Sequence, residues 1–360
     1  MPEKILIIKP SSLGDVATTL PLLCDLRRAH PHARIDWLLH PAFNALVQGH
    51  DAVSDILPFD RKKLGAWWYR PSAFSLLRRL LTSLRDAQYD AVIDAQGLFR
   101  SAFLSRISSS PMRIGFADAR EAAPIFYTDK VWLPEGGKKM LAVDRMRALG
   151  KALGTNTAAP AEFRLPLQSA AVEKAAALLP HDVVTLIPGA RWNTKRWPLD
   201  RFTQIAENLL AQGETLLLLG SPDEKTLCDQ IVQAIENRKS KIENILNLAG
   251  KTDLATMAAL LARTRLLIAN DSGPLHVAAA LGTPAVALYG PTNPAFVGPY
   301  GQLQNVLRHD VSCFPCRHRT CSHHSCMNGL AVDTVWQKTT ELLAPTINGK
   351  SHSHAAAPIK

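Results

Sequence analysis

Four segments of this chain bring together residue types that could do chemistry. Between Ile268 and Thr292, an apolar run ends in Asn270-Asp271-Ser272-Gly273, and Pro274-Leu275-His276 leads into an Ala-rich stretch that stops at Gly282. A strand that turns directly into a helix makes a natural anion site, because the first helical amides are unpaired and carry the positive end of the dipole. Asp271 and Ser272 are expected to cap that helix, Asp271 could also accept from sugar hydroxyls, and Gly273 lets a ligand approach the backbone. His276 is either simply packed or on the ligand side of the first turn. In the second segment, Lys9 to Asp15, the chain passes from an apolar strand to a helix. The carboxyl ends of strands in an open parallel sheet line its binding crevice, so Asp15 is a general-base candidate. Ser12 or Asp15 could equally cap the helix. Gly14 and the two serines permit backbone contact with a ligand, although the closing Gly-Lys-Ser or Thr of a phosphate loop is missing.

The third segment, Pro188 to Pro198, carries Arg191, Lys195 and Arg196 with Trp192, Thr194 and Trp197. Such a loop at a sheet edge favours an anion, and Lys195 is the first choice for neutralising a diphosphate, with Thr194 nearby. Trp197-Pro198 reads as closing the loop against the next helix. Glu224, after another strand, could bind ribose hydroxyls or merely start a helix. In the fourth segment Cys313, Cys316, Cys321 and Cys326 stand among three histidines. Their spacing partly resembles that of zinc ligands, but the wider second spacing leaves an unmetallated loop beside the site as the alternative. Cys24 and Cys228 read as buried packing.

Positioning these segments takes an alternation of strands and helices. Strands are predicted at 5–8, 35–39, 91–94, 112–115, 183–187, 215–219, 266–269 and 285–288, and helices near 15–28, 66–85 and 98–107. Near-continuous apolar strands alternating with helices imply parallel sheets covered on both faces, hence an α/β fold of two doubly wound domains. The join is expected between Gly154 and Pro180, and the Ser, His, Ala and Pro-rich end is expected to be disordered. The 360 residues carry a net charge of +10. Much of it falls between Arg61 and Arg147, where sixteen Lys and Arg face eight Asp and Glu. That excess suits nucleic acid, anionic lipid or a phosphorylated acidic substrate. Nucleic acid is disfavoured, because helix-turn-helix, zinc-finger-array and aromatic-basic patterns are missing. Apolar runs fall short of the roughly 18 residues of a membrane span, and the start lacks a signal-peptide pattern, which predicts a cytoplasmic protein. A disulfide among the cysteines is disfavoured in that reducing compartment.

Taken together, the segments 9–15, 189–198 and 270–292 resemble the ADP-heptose:lipopolysaccharide heptosyltransferase family of inverting glycosyltransferases, over about residues 4–345. The stretch from Tyr89 to Leu98, with Arg120-Glu121 and Phe126-Tyr127 downstream, is most similar to the heptosyltransferase I branch. The Cys-rich loop is more like that of the heptosyltransferase II branch, and Arg191 to Thr194 departs from the adjacent threonines common in branch I. The resemblance implies a glycosyltransferase-B fold of two Rossmann-like domains facing a cleft: 1–165 for the acceptor, 166–345 for the ADP-sugar, and a tail at 346–360. It implies transfer of heptose from ADP-L-glycero-D-manno-heptose to the Kdo inner core of lipopolysaccharide; because cations and a helix end can do the work of a metal on the leaving diphosphate, no cofactor and no divalent metal are expected. The alternatives are transfer to a later core residue or another nucleotide-sugar activity such as epimerisation. Asp15 would be the base; Thr194, Lys195, Glu224, Asp271, Ser272, Gly273 and His276 would hold the donor. Ser12 and Gly14, with the cations Arg61, Lys62, Lys63 and Arg120, would face a Kdo-lipid A type acceptor. The expected location is the inner face of the inner membrane, peripheral on its anionic surface.

Overall fold

Twelve short strands divide between two parallel sheets of the same topology. The computed structural model describes residues 1–137, 139–179, 181–238 and 243–344. The tail expected at 346–360, and residue 345 before it, lie outside the described residues. In the first half β1 (Lys4–Ile8), β2 (Arg34–Leu39), β3 (Asp55–Pro58), β4 (Ala91–Asp94), β5 (Met112–Phe116) and β6 (Asp129–Val131) run in the order β3-β2-β1-β4-β5-β6. In the second, β7 (Val183–Ile187), β8 (Leu216–Leu218), β9 (Ile245–Asn247), β10 (Thr264–Asn270), β11 (Ala285–Tyr289) and β12 (Val306–Arg308) give β9-β8-β7-β10-β11-β12. The expected pair of doubly wound α/β sheets is therefore present. The central strands β1, β4, β7 and β11 are buried almost residue for residue, as strands covered by helices on both faces must be.

Strand order reverses between β1 and β4 in one sheet and between β7 and β10 in the other. Loops leaving the carboxyl ends of strands at such a switch diverge and open a crevice. The segment 9–15 leaves β1, 188–198 leaves β7, and 271–273 leaves β10, so three of the four chemical segments start from switch-point strands. The helix predicted over 66–85 begins only at Pro71 and runs to Asp86, and a separate short helix, Arg61–Leu64, precedes the predicted span. Proline fits the first turn of a helix but not its interior, so Pro71 sets the later start. The Ser169–Leu178 helix packs on the Leu254–Ala262 helix of the second half, so the chain has crossed between halves before residue 169. The Leu13–Ala29 helix packs on the Gly273–Leu281 helix, which brings the two crevices face to face.

Candidate active site

On the first sheet, Lys9 leaves β1 buried, with its ammonium donating to the Ala95 carbonyl at 3.0 Å beyond the end of β4. Asp15 is the third residue of the following helix. Its Oδ2 accepts from the Ser12 amide (2.9 Å) and hydroxyl (2.6 Å), while Oδ1 lies 3.6 Å from the Lys9 ammonium. The capping arrangement is present, one oxygen bracing the helix start, and half of the side chain remains open to solvent. Burial would raise the Asp15 pKa, but Lys9, the two Ser12 donors and His276 outweigh it and hold it below the ordinary 3.8. The group is therefore a carboxylate at neutral pH, able to accept a proton. Lys9 belongs to this cluster by its contacts with Asp15 and Ala95, and sequence reasoning passed it over. The signal was there, a lysine at the end of an apolar strand in the same turn as Asp15.

On the second sheet, the buried Asn270 side chain donates to the Pro188 carbonyl at 2.8 Å and accepts from the Trp197 amide at 3.0 Å. It thereby locks the 188–198 loop onto the 270–273 turn. Asp271 is buried and does not cap the helix as expected. Its Oδ2 accepts from Lys195 Nζ at 2.6 Å and from the Thr292 hydroxyl, and its Oδ1 lies 3.9 Å from His276 Nε2. Burial disfavours the carboxylate, but His276 and Lys195 prevail and lower its pKa. Ser272 occupies the N-cap position, yet its hydroxyl caps nothing and is a buried polar atom without a partner among the described residues. Such an orphan is costly unless a ligand satisfies it. Lys195 also lies 4.7 Å from the centre of the Trp192 ring, which leaves its ammonium between a carboxylate and an aromatic face. Thr292 was likewise missed, because a threonine twenty-one residues from Asp271 has no local signal.

Glu224 stands half-buried at the same edge, its Oε2 accepting from the Ser221 amide (2.9 Å) and hydroxyl (3.0 Å). A side chain at Gly189 would place its Cβ 2.2 Å from the Glu224 carboxyl group, so this glycine makes room for that carboxylate. Thr194 turns away from the crevice: its hydroxyl donates to the His318 carbonyl at 2.8 Å, and its carbonyl meets His324 Nε2 at 2.8 Å. The Cys-rich loop thus braces the Lys195 loop, and Arg319 covers the other ring contact of Trp192 at 5.1 Å. Cys313 and Cys321 are exposed, Cys326 is buried, and all the cysteines are free thiols. Among the described residues, no three His, Cys, Asp or Glu side chains converge on a metal position. Trp197 is buried and donates to the Leu330 carbonyl at 3.0 Å, closing the loop as its sequence suggests.

The two clusters meet at their helix starts. A Cβ on Gly14 would lie 2.8 Å from the His276 ring, and one on Gly273 would lie 2.8 Å from Leu13. Only glycines allow this approach, and it leaves Asp15 within electrostatic reach of His276, which also faces Asp271. The remaining cations lie along the edge of the first sheet. Asp60 caps the Arg61–Leu64 helix beyond β3, and Arg120 follows β5. Both strands are two positions from β1, so these cations start about 10 Å to either side of the Asp15 strand.

Residues 77–327 match the family model described as glycosyltransferase family 9 (heptosyltransferase). The chain is 32% identical over 330 residues to lipopolysaccharide heptosyltransferase 1 of Pseudomonas aeruginosa, covering 89% of this chain and 88% of that protein. It is 31% identical to lipopolysaccharide heptosyltransferase 2 of Salmonella typhimurium, covering 85% and 88%. The solved structure of E. coli heptosyltransferase WaaC with ADP-2-deoxy-2-fluoro heptose superposes with a TM-score of 0.75 at 26% identity, covering 94% of this chain and 99% of that one.

Proposed function

The chain belongs to glycosyltransferase family 9, the heptosyltransferases, and from that premise we propose that it moves heptose from ADP-heptose to a Kdo residue of the lipopolysaccharide inner core with inversion. Two doubly wound sheets facing a cleft are the glycosyltransferase-B architecture. The observation that carries the reading is the meeting of the two helix starts, Gly14 on His276 and Leu13 on Gly273. It sets an ionised carboxylate from one sheet beside a cationic, hydroxyl-bearing turn from the other. In this reading residues 1–165 handle the acceptor and 166–345 the nucleotide-sugar.

Asp15 takes the proton of the acceptor hydroxyl as that oxygen attacks the anomeric carbon from the face opposite the diphosphate. The bond to the diphosphate oxygen breaks, and ADP leaves with the electron pair. Negative charge growing on that oxygen is met by Lys195, the unpartnered Ser272 hydroxyl and the first turn of the Gly273–Leu281 helix. Asp271 and Thr292 hold Lys195 in place, and His276 links that cluster to Asp15. Lys195 and the helix start supply the positive charge, so turnover is expected to persist unchanged in EDTA. Glu224 faces the ribose. Gly189→Ala, which pushes Glu224 aside, is expected to weaken ADP binding about tenfold at unaltered circular dichroism; calorimetric titration checks it, and undiminished affinity would remove Glu224 from the donor site. Arg61, Lys62, Lys63 and Arg120 flank the acceptor's acidic groups beside Ser12 and Gly14.

Relatives named heptosyltransferase 1 and 2 match at similar identity, so the acceptor is the finer part of this reading. Incubation with ADP-heptose and a panel of heptose-deficient cores tests it. Transfer to a Kdo-terminated core is expected; transfer only to a heptose-terminated core moves the enzyme one step later.

A further inference from the structure

The segment from Cys313 to Cys326 carries two arginines, three histidines and no acidic residue. It is seated across two loops of the nucleotide-sugar half. At one end Cys326 and Met327 are buried beside Gly290, the residue after β11, where a Cβ would lie 3.1 Å from the Cys326 sulfur and 2.5 Å from that of Met327. In the middle, the Arg317 amide donates to the Pro291 carbonyl at 2.9 Å, one residue before the threonine that touches Asp271. The same stretch grips the Lys195 loop: the His318 carbonyl accepts from the Thr194 hydroxyl, and His324 Nε2 meets the Thr194 carbonyl, both at 2.8 Å. Between these anchors lies Arg319, its guanidinium 5.1 Å from the centre of the Trp192 ring, the same ring that Lys195 approaches to 4.7 Å. Arg319 is exposed and, among the described residues, meets no carboxylate.

We infer that the Cys-rich loop supplies a second cation, Arg319, to the diphosphate of the bound nucleotide-sugar. Asp271 accepts from Lys195 at 2.6 Å and is ionised at neutral pH, so that pair carries no net charge, whereas each phosphate of the donor is an anion. The start of the Gly273–Leu281 helix meets part of this charge. A guanidinium forks onto two phosphate oxygens, and one held against an indole keeps its N–H donors for a ligand. Arg196, in the Lys195 loop, instead spends its Nε on the Ala190 carbonyl at 2.9 Å and braces its own loop. Both supports of the Cys-rich loop belong to the nucleotide-sugar half, which ties Arg319 to the donor rather than to the acceptor. The inference deepens the proposed function and rests on its placement of the diphosphate at Lys195.

The test is calorimetric titration of ADP into the full chain and its Arg319→Gln and Arg319→Lys variants, at low and at high salt. Arg319→Gln is expected to weaken binding about tenfold and to make what remains less sensitive to salt, since one charge has left the contact, with circular dichroism unchanged. Arg319→Lys is expected to recover the salt sensitivity and part of the affinity. ADP bound by Arg319→Gln as tightly as by the wild type overturns the inference. An equal loss in both variants at unaltered salt sensitivity, which marks a packing role, overturns it too, as does a rise in the acceptor KM alone. If heptose transfer to every core fails while ADP binding depends on Arg319 and Lys195, the functional reading falls and the second cation stands. If transfer proceeds and Lys195→Ala loses ADP while Arg319→Gln does not, only the second cation falls.

Discussion

Asp15→Asn is expected to lower turnover by about 100- to 10,000-fold while leaving ADP-sugar affinity almost unchanged. The asparagine oxygen can still accept from the Ser12 amide, which Asp15 holds at 2.9 Å, so the helix start survives and the stability cost stays near 1 kcal/mol. What is lost is the ability to take a proton. Steady-state kinetics beside a calorimetric titration separates the two effects, and near-normal turnover would remove Asp15 from the chemistry. The charge environment adds a pH signature. Lys9 and Ser12 hold the Asp15 pKa below 3.8 despite burial, so the wild type is expected to lose no activity through this group until the pH falls below that value.

Lys195→Ala is expected to weaken both ADP binding and turnover, each by about 100-fold, because one cation serves the bound diphosphate and the leaving charge. It is also expected to destabilise the fold by several kcal/mol. Asp271, 5% exposed, loses its ammonium partner, and breaking a buried pair from one side costs about 3 to 5 kcal/mol. Thr292 and His276 remain to share that carboxylate, which places the loss at the lower end. The sign with pH follows. Asp271 has a depressed pKa in the folded state, so its stabilisation is complete above the unfolded carboxylate value and fades as pH falls through the folded one. Without Lys195 the depression shrinks, and acid unfolding is expected to begin at higher pH. Adding Asp271→Asn should restore much of the stability but none of the ADP affinity. A Lys195→Ala protein that binds ADP as tightly as wild type would contradict the diphosphate role.

How much of this was readable beforehand depends on burial. The eight predicted strands are the inner ones, where parallel pairing and cover on both faces demand continuous apolar runs such as Val183–Ile187. The four that escaped, β3, β6, β9 and β12, are the sheet edges. Each is three or four residues long and half-exposed, as in Asp55–Pro58 and Asp129–Val131, so its pattern merges with loops. The halves have no visible sequence repeat, yet they share one strand order, because topology is set by patterning that many sequences satisfy. In the site, Asp271 was legible as a polar residue directly after an apolar strand, and Asp15 and Lys195 as polar residues in the segments that leave β1 and β7. Their partners were not: which acid Lys195 meets, what Thr194 turns toward, and that Gly14 rests on His276 are tertiary contacts between loops of different strands.

The central claim is that Asp15 on one sheet and the Lys195 and Ser272 cluster on the other form one transfer site. The most direct measurement is the product formed from ADP-heptose and a Kdo-terminated core, read by mass and by nuclear magnetic resonance of the new linkage. One added heptose, of anomeric configuration opposite to the donor's and with one ADP released per transfer, is the expected result. Retained configuration, or release of free or epimerised sugar without any acceptor, would contradict it.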